Sequence, residues 1–142
     1  MSVVNVEVRS TLSPAEVLAV LTDFSERRAE AWPGVDLEHL TVHQTGADFA
    51  EVTEGNSATW ERVRYEWDST SGTVTAKTLD SNVWAEGSRW DYRITPVEGG
   101  SSVGVRLERH GKNVKGKAIG ALLPVVGKKV VTAGLASALK LA

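Results

Sequence analysis

The chain carries few side chains suited to acid–base or metal chemistry. It has three histidines and no cysteine in 142 residues. Without cysteine there is no disulfide, no thiolate metal site and no cysteine nucleophile, which fits a cytoplasmic protein. His39 and His43 flank Leu40-Thr41-Val42, which reads as strand. Four strand residues span about 13 Å, too far for the two rings to share one metal ion. His110 follows Arg109 at a strand end and is the better general base by type, but its parity is outward. There is no Ser/His/Asp series, phosphate loop or metal cluster, so no metal and no cofactor is expected. The polar residues best suited to chemistry are Asp80, Asn82 and Arg109. Enolising a ketone or removing water needs an acid–base group and a donor for the oxyanion. Asp80 with Tyr65 or Tyr92 would supply both. Asp80-Ser81-Asn82 equally reads as a turn, because such side chains bond to nearby backbone.

These residues must be positioned by a fold whose elements show in the periodicity. Val4, Val6 and Val8 alternate with Asn5, Glu7 and Arg9, the mark of a strand with one buried face. Ser13-Pro14-Ala15-Glu16 forms a capping box with proline at the first helical position. It starts a short helix that ends near Thr22 or Asp23. A second short helix, about 26–31, stops before Trp32-Pro33-Gly34. Strands are expected near 35–43, 48–54, 57–68, 73–80, 88–97 and 102–110, separated by turn signals and so joined as an antiparallel meander. Residues 112–142 return to helical spacing, with Pro124 set to kink or restart the helix. One strand, two short helices, six strands and one long helix make an α+β layout.

Strand parity then aims the side chains. Trp90, Tyr92 and Ile94 share one face and Arg89, Asp91 and Arg93 the other. Val63, Tyr65 and Trp67 face inward, as do Val103, Val105 and Leu107, while Arg62, Arg64 and Glu66 face out. The parity of Val74 and Ala76 carries Thr78 and Asp80 to the inner face, and Arg109 is inward too. Trp67, Trp90 and Tyr92 should be largely buried, and Arg62, Arg64 and Arg93 exposed. The inner wall thus holds Tyr65, Trp67, Trp90 and Tyr92. Such rings serve as core filler, or they line a pocket for an aromatic or oxygenated molecule, since buried Tyr and Trp need polar partners. On the last helix Gly120, Gly127 and Gly134 recur every seven residues, close to Gly116. Ile119, Leu123, Val126, Val130 and Leu141 form an adjacent apolar stripe. Three interior glycines cost about 3 kcal/mol against alanine unless their missing side chains are needed. Either the helix approaches the sheet closely there, or it leaves its wall open over a cavity.

Charge is unevenly spread. Residues 111–142 hold six lysines and no acid, whereas 1–110 hold ten basic and eighteen acidic residues, so the halves carry +6 and −8. The net charge of −2 argues against a nucleic-acid binder. The lysines read either as a solvated helix face or as a weak contact with an anionic membrane surface. The longest uncharged runs, 118–127 and 130–139, are half the length a bilayer needs, which argues against a spanning helix. The start MSVVNVEVRS lacks the basic and apolar regions of a signal peptide.

The element order, with Thr59 to Trp67, Asp80-Ser81-Asn82-Val83-Trp84 and Gly87-Ser88-Arg89-Trp90-Asp91-Tyr92, resembles the START-like superfamily in its polyketide cyclase/dehydrase-like branch. The resemblance covers essentially the whole chain. It implies a helix-grip fold, with a curved seven-stranded antiparallel sheet wrapped around a long C-terminal helix, as one domain over 1–142. It implies no catalytic residue, because the superfamily has no shared catalytic motif. The expected function is to bind or carry a small hydrophobic, lipid-like or aromatic molecule between sheet and helix. The alternative is a cyclase/dehydratase acting on an aromatic or polyketide substrate. The expected ligand-binding residues are Tyr65, Trp67, Asp80, Trp90, Tyr92, Ile119, Leu123 and Val126.

Overall fold

The computed structural model describes residues 1–140. The elements run β1 (Ser2–Ser10), α1 (Pro14–Leu21), α2 (Arg27–Ala31), β2 (Thr41–Thr45), β3 (Phe49–Gly55), β4 (Trp60–Asp68), β5 (Thr73–Ser81), β6 (Arg89–Val97), β7 (Gly100–Arg109) and α3 (Val114–Lys140). All seven strands form one antiparallel sheet in the order β1-β7-β6-β5-β4-β3-β2. Successive strands pair from β2 to β7, and β7 then pairs with β1. This is the α+β helix-grip layout that the periodicity and the resemblance imply. Leu141 lies outside the described residues.

The capping box forms as read: Ser13 Oγ accepts from the Glu16 N–H, and the Glu16 carboxylate accepts from the Ser13 N–H. Helix α1 buries Val17 and Leu21 in the core. The core itself is built from inner-face residues, among them Val52, Val63, Val74, Val103 and Leu107, meeting Val131 and Leu135 of α3. Each such side chain contributes about 1.5–3 kcal/mol when fully buried. The expected 88–97/102–110 hairpin is β6–β7, in which Trp90 faces Leu107 and Tyr92 faces Val105. Tyr92 is buried and Arg93 exposed, but Trp67 and Trp90 are half-buried. Arg62 and Arg64 are also half-buried, because both reach Glu51 on the outer face and Arg64 lies over the Phe49 ring.

Two segments depart from simple alternation. The expected strand at 35–43 opens instead with a 3-10 turn, Leu37–His39, and β2 begins only at Thr41. The Asp36 side chain accepts from the His39 N–H, so a local side-chain-to-backbone bond wins over the strand. His39 therefore lies off the strand.

The second departure is a bulge in β5. Pairing passes from Val63↔Thr78 to Arg62↔Asp80, leaving Leu79 without a partner on β4. An extra residue reverses the parity beyond it. Leu79 and Asp80 are thus exposed, and Ser81 returns to a buried position.

Helix α3 is long and apolar enough to cross a membrane by length and composition alone. In this fold the helix is seated along β1. A Cβ on Gly116 would stand 1.9 Å from the Val83 carbonyl oxygen, and one on Gly127 would stand 2.7 Å from Val4 Cγ2. Those glycines therefore serve close approach. Pro124 does not interrupt the helix, which is continuous from Val114 to Lys140. Proline offers no N–H to the carbonyl four residues earlier. That carbonyl, of Gly120, accepts instead from the Ser2 hydroxyl at 2.7 Å, so β1 supplies the missing bond.

Candidate functional site

Beyond Gly127 the helix stays on the core through Val131, Leu135 and Leu139, but it leaves a gap beside Gly134. A Cβ on Gly134 would meet no atom within 4 Å. There the structure holds a cavity of about 470 Å³, within the range of small-molecule sites. Val130, Val131, Ala133, Gly134 and Leu135 form its helix side, and Tyr65, Trp90, Tyr92 and Val105 its sheet side. Trp32 to Val35, Trp60 and Trp84 complete the wall. The two readings of the glycine series hold at different positions: close packing at Gly116 and Gly127, an open wall at Gly134.

Four of the five tryptophans therefore line one space, and two buried ion pairs share it. Arg28 Nε donates to Glu54 Oε1 at 2.7 Å, and Arg28 Nη2 to the Tyr65 hydroxyl at 2.8 Å. The Tyr65 hydroxyl donates in turn to the second Glu54 oxygen. Arg28 Nη1 donates to the Leu21 and Asp23 carbonyls, and the guanidinium lies over the Phe24, Trp32 and Tyr65 rings. In the second pair, Arg109 Nη2 stands 2.7 Å from Glu61 Oε2, and Thr78 Oγ1 bridges the two at 3.4 Å on each side. Arg109 sits over Trp84 and Trp90, 4.9 and 5.2 Å from the ring centroids. Buried charges persist only when paired and hydrogen-bonded, and both pairs meet that requirement.

Titration behaviour follows the same geometry. Burial pushes the Tyr65 hydroxyl well above the usual tyrosine range; the Arg28 charge opposes this and the Glu54 carboxylate adds to it. Tyr92 is raised mainly by burial as well. Burial alone would lower Arg28, but the Glu54 carboxylate and the Tyr65 hydroxyl hold it net above its ordinary value. At neutral pH the wall therefore presents two phenolic O–H groups and a permanent Arg28 cation. Trp32 also lines the cavity, and its buried indole N–H has no hydrogen-bond partner among the described residues.

Of the expected ligand-binding residues, Tyr65, Trp90 and Tyr92 are brought together in this wall. The other five lie elsewhere. Trp67 is on the inner face, but it packs with Phe24, whose ring also covers Tyr65, at the other end of β4. The β5 bulge turns Asp80 outward, where it accepts from the Ser81 N–H and stands 3.5 Å from Lys112 Nζ. Ile119 and Leu123 belong to the helix section that is closely seated on the sheet, and Val126 is exposed. His110 contacts Glu108 outside the cavity. Arg28, Glu54 and Glu61 were missed. Glu54 follows Ala50 and Val52 at two-residue spacing, and Glu61 precedes Val63 and Tyr65 in the same way. Parity alone would have aimed both carboxylates inward.

Over residues 1–141 the sequence matches the family described as polyketide cyclase/dehydrase and lipid transport, and the chain belongs to that family. No curated protein matches it in sequence. Among solved structures it is similar to the Zhui aromatase/cyclase from Streptomyces sp. R1128, with a TM-score of 0.80 at 14% identity over 97% of this chain and 91% of that one. A START superfamily protein from Mycobacterium smegmatis gives 0.72 at 10% identity over the whole of both chains. Norcoclaurine synthase from Thalictrum flavum, in complex with dopamine and hydroxybenzaldehyde, gives 0.69 at 14% identity over 98% and 86%. At these identities the likeness establishes the fold alone.

Proposed function

We propose that the chain binds a small, mostly apolar molecule bearing one or more oxygen atoms, of aromatic or lipid-like type, in the cavity between the sheet and the C-terminal half of α3. The observation that carries this reading is the cavity wall itself: four tryptophans and two tyrosine rings around about 470 Å³. Indole and phenol faces favour a flat apolar ligand. The Trp32 N–H, without a partner among the described residues, favours an oxygen acceptor on it.

A second reading, turnover of an aromatic or polyketide substrate by a cyclase or dehydratase reaction, is favoured by the donors beside carboxylates in the same wall. Glu54 or Glu61 would take a proton, and an N–H of Arg28 or Arg109 would hold the developing oxyanion. Asp80 has no part in either reading.

Flavonoids, other phenols and fatty acids, screened by thermal unfolding, test the binding reading. A ligand held only by the folded chain adds about 2.7 kcal/mol at a hundredfold excess over its dissociation constant. Gly134→Leu is the matched control. Its side chain enters open space, so stability should rise by about 1 kcal/mol from helix propensity, while the ligand-induced gain disappears. A flat response across the panel, or an undiminished gain in Gly134→Leu, contradicts the proposal.

A further inference from the structure

The outer face of α3 is apolar where a helix of this kind would ordinarily be polar. Leu122, Val125, Val126 and Val130 are 59%, 81%, 44% and 62% exposed. Contiguous exposed apolar residues of this size mark an interaction surface. Lys115, Ala118, Leu122, Val125 and Lys129 follow one another at spacings of three and four, so they line one helix face. The apolar centre is bracketed by lysine at both ends, with Lys117 and Lys128 beside it. All four lysines are exposed. Among the described residues none of them forms an ion pair with an acid.

We infer that this face of α3 docks on the surface of an anionic lipid bilayer, with the helix lying in the interface. Leu122, Val125 and Val126 enter the acyl boundary while Lys117, Lys128 and Lys129 extend to the headgroups; Lys115 Nζ donates to the Ala58 carbonyl. The charge distribution selects this occupant. The last 32 residues carry +6 and the remainder −8, so an anionic surface attracts the helix side and repels the sheet side. A second copy, docked through the same face, would set lysine against lysine. Docking also has a consequence for the cavity. Val130 is both in the exposed stripe and in the cavity wall, so the helix side of the cavity comes to lie at the bilayer.

The test is co-sedimentation with vesicles of phosphatidylcholine alone and of phosphatidylcholine with phosphatidylglycerol. Binding should need phosphatidylglycerol. It should also weaken as salt shortens the Debye length from about 30 Å at 0.01 M to about 8 Å at 0.15 M. Lys128→Gln with Lys129→Gln should lower the partition coefficient about thirtyfold, at roughly fivefold per lysine near an anionic surface. Leu122→Gln with Val125→Gln keeps the charge and should lower it by about tenfold or more. All four side chains are exposed, and circular dichroism checks that the variants fold. Gly134→Leu should bind vesicles like the parent, which separates this inference from the fate of the cavity. Three results would overturn it: no preference for anionic vesicles at low salt, binding by either double variant equal to that of the parent, or a solution dimer dispersed by Leu122→Gln with Val125→Gln.

Discussion

Replacing Glu54 by alanine is expected to lower folding stability by about 3–5 kcal/mol, the range for removing one partner of a buried ion pair. Arg28 is 4% exposed, and its burial is set by packing against Phe24, Trp32 and Tyr65. Without Glu54 the guanidinium remains buried and loses its counter-charge. It cannot shed its proton, since arginine stays charged at any ordinary pH. The Tyr65 hydroxyl loses its acceptor in the same step. The strength of the effect lies in the leftover charge rather than in the pair. Arg28→Met combined with Glu54→Leu should therefore recover much of the loss, because apolar replacement of both partners is often neutral. Denaturant unfolding of the two singles and the double, read as a cycle, checks this. A Glu54→Ala protein within about 0.5 kcal/mol of the parent, the range of ordinary surface changes, would contradict the description of this pair as buried and mutually dependent.

Above pH 10 the protein should lose stability steeply. The chain has two tyrosines, Tyr65 and Tyr92, and burial raises both above their unfolded value of about 10. The sign follows from proton counting. Below the unfolded value both states hold the phenolic protons, and these tyrosines give no pH dependence. Above it the unfolded chain releases two protons that the folded chain retains, so stability falls as pH rises. The slope approaches about 1.4 kcal/mol per pH unit for each tyrosine and about 2.7 for both. Tyrosinate absorbance should thus appear only in step with cooperative unfolding, followed separately by circular dichroism. Tyrosinate forming near pH 10 in a chain that is still folded would contradict their burial.

The parts of this molecule legible in its sequence are those governed by local period or local capping. Ser13 to Glu16 announces α1 through its own side-chain bonds. The rings of β6 and the valines of β7 declare their face by alternation. The β5 bulge was not legible, because nothing in Thr78-Leu79-Asp80 marks an inserted residue, and the whole error over Asp80 follows from that single position. Arg28 was invisible for a different reason. A five-residue helix is too short to show a period, and the carboxylate that receives it stands 26 residues away. The helix stripe failed at Ile119 and Leu123 because spacing fixes which residues share a face but not where along it the cavity lies, and at Val126 because that residue lies on the exposed outer face. Close approach of Val83 at Gly116 and of Val4 at Gly127, with open space at Gly134, is a tertiary feature that spacing does not carry.

The five tryptophans provide the most direct test of a ligand in this cavity. Each indole N–H gives one signal in a nitrogen–proton correlation spectrum, assigned by replacing each tryptophan in turn with phenylalanine. Trp32, Trp60, Trp84 and Trp90 line the cavity, and Trp67 does not. Titration with the flavonoid or fatty acid that best raises thermal stability should shift the first four signals and leave the Trp67 signal in place, with Trp32 moving most if its N–H gains an oxygen acceptor. A stabilising ligand that moves Trp67 alone, or moves no indole signal, would contradict binding between the sheet and the C-terminal half of α3.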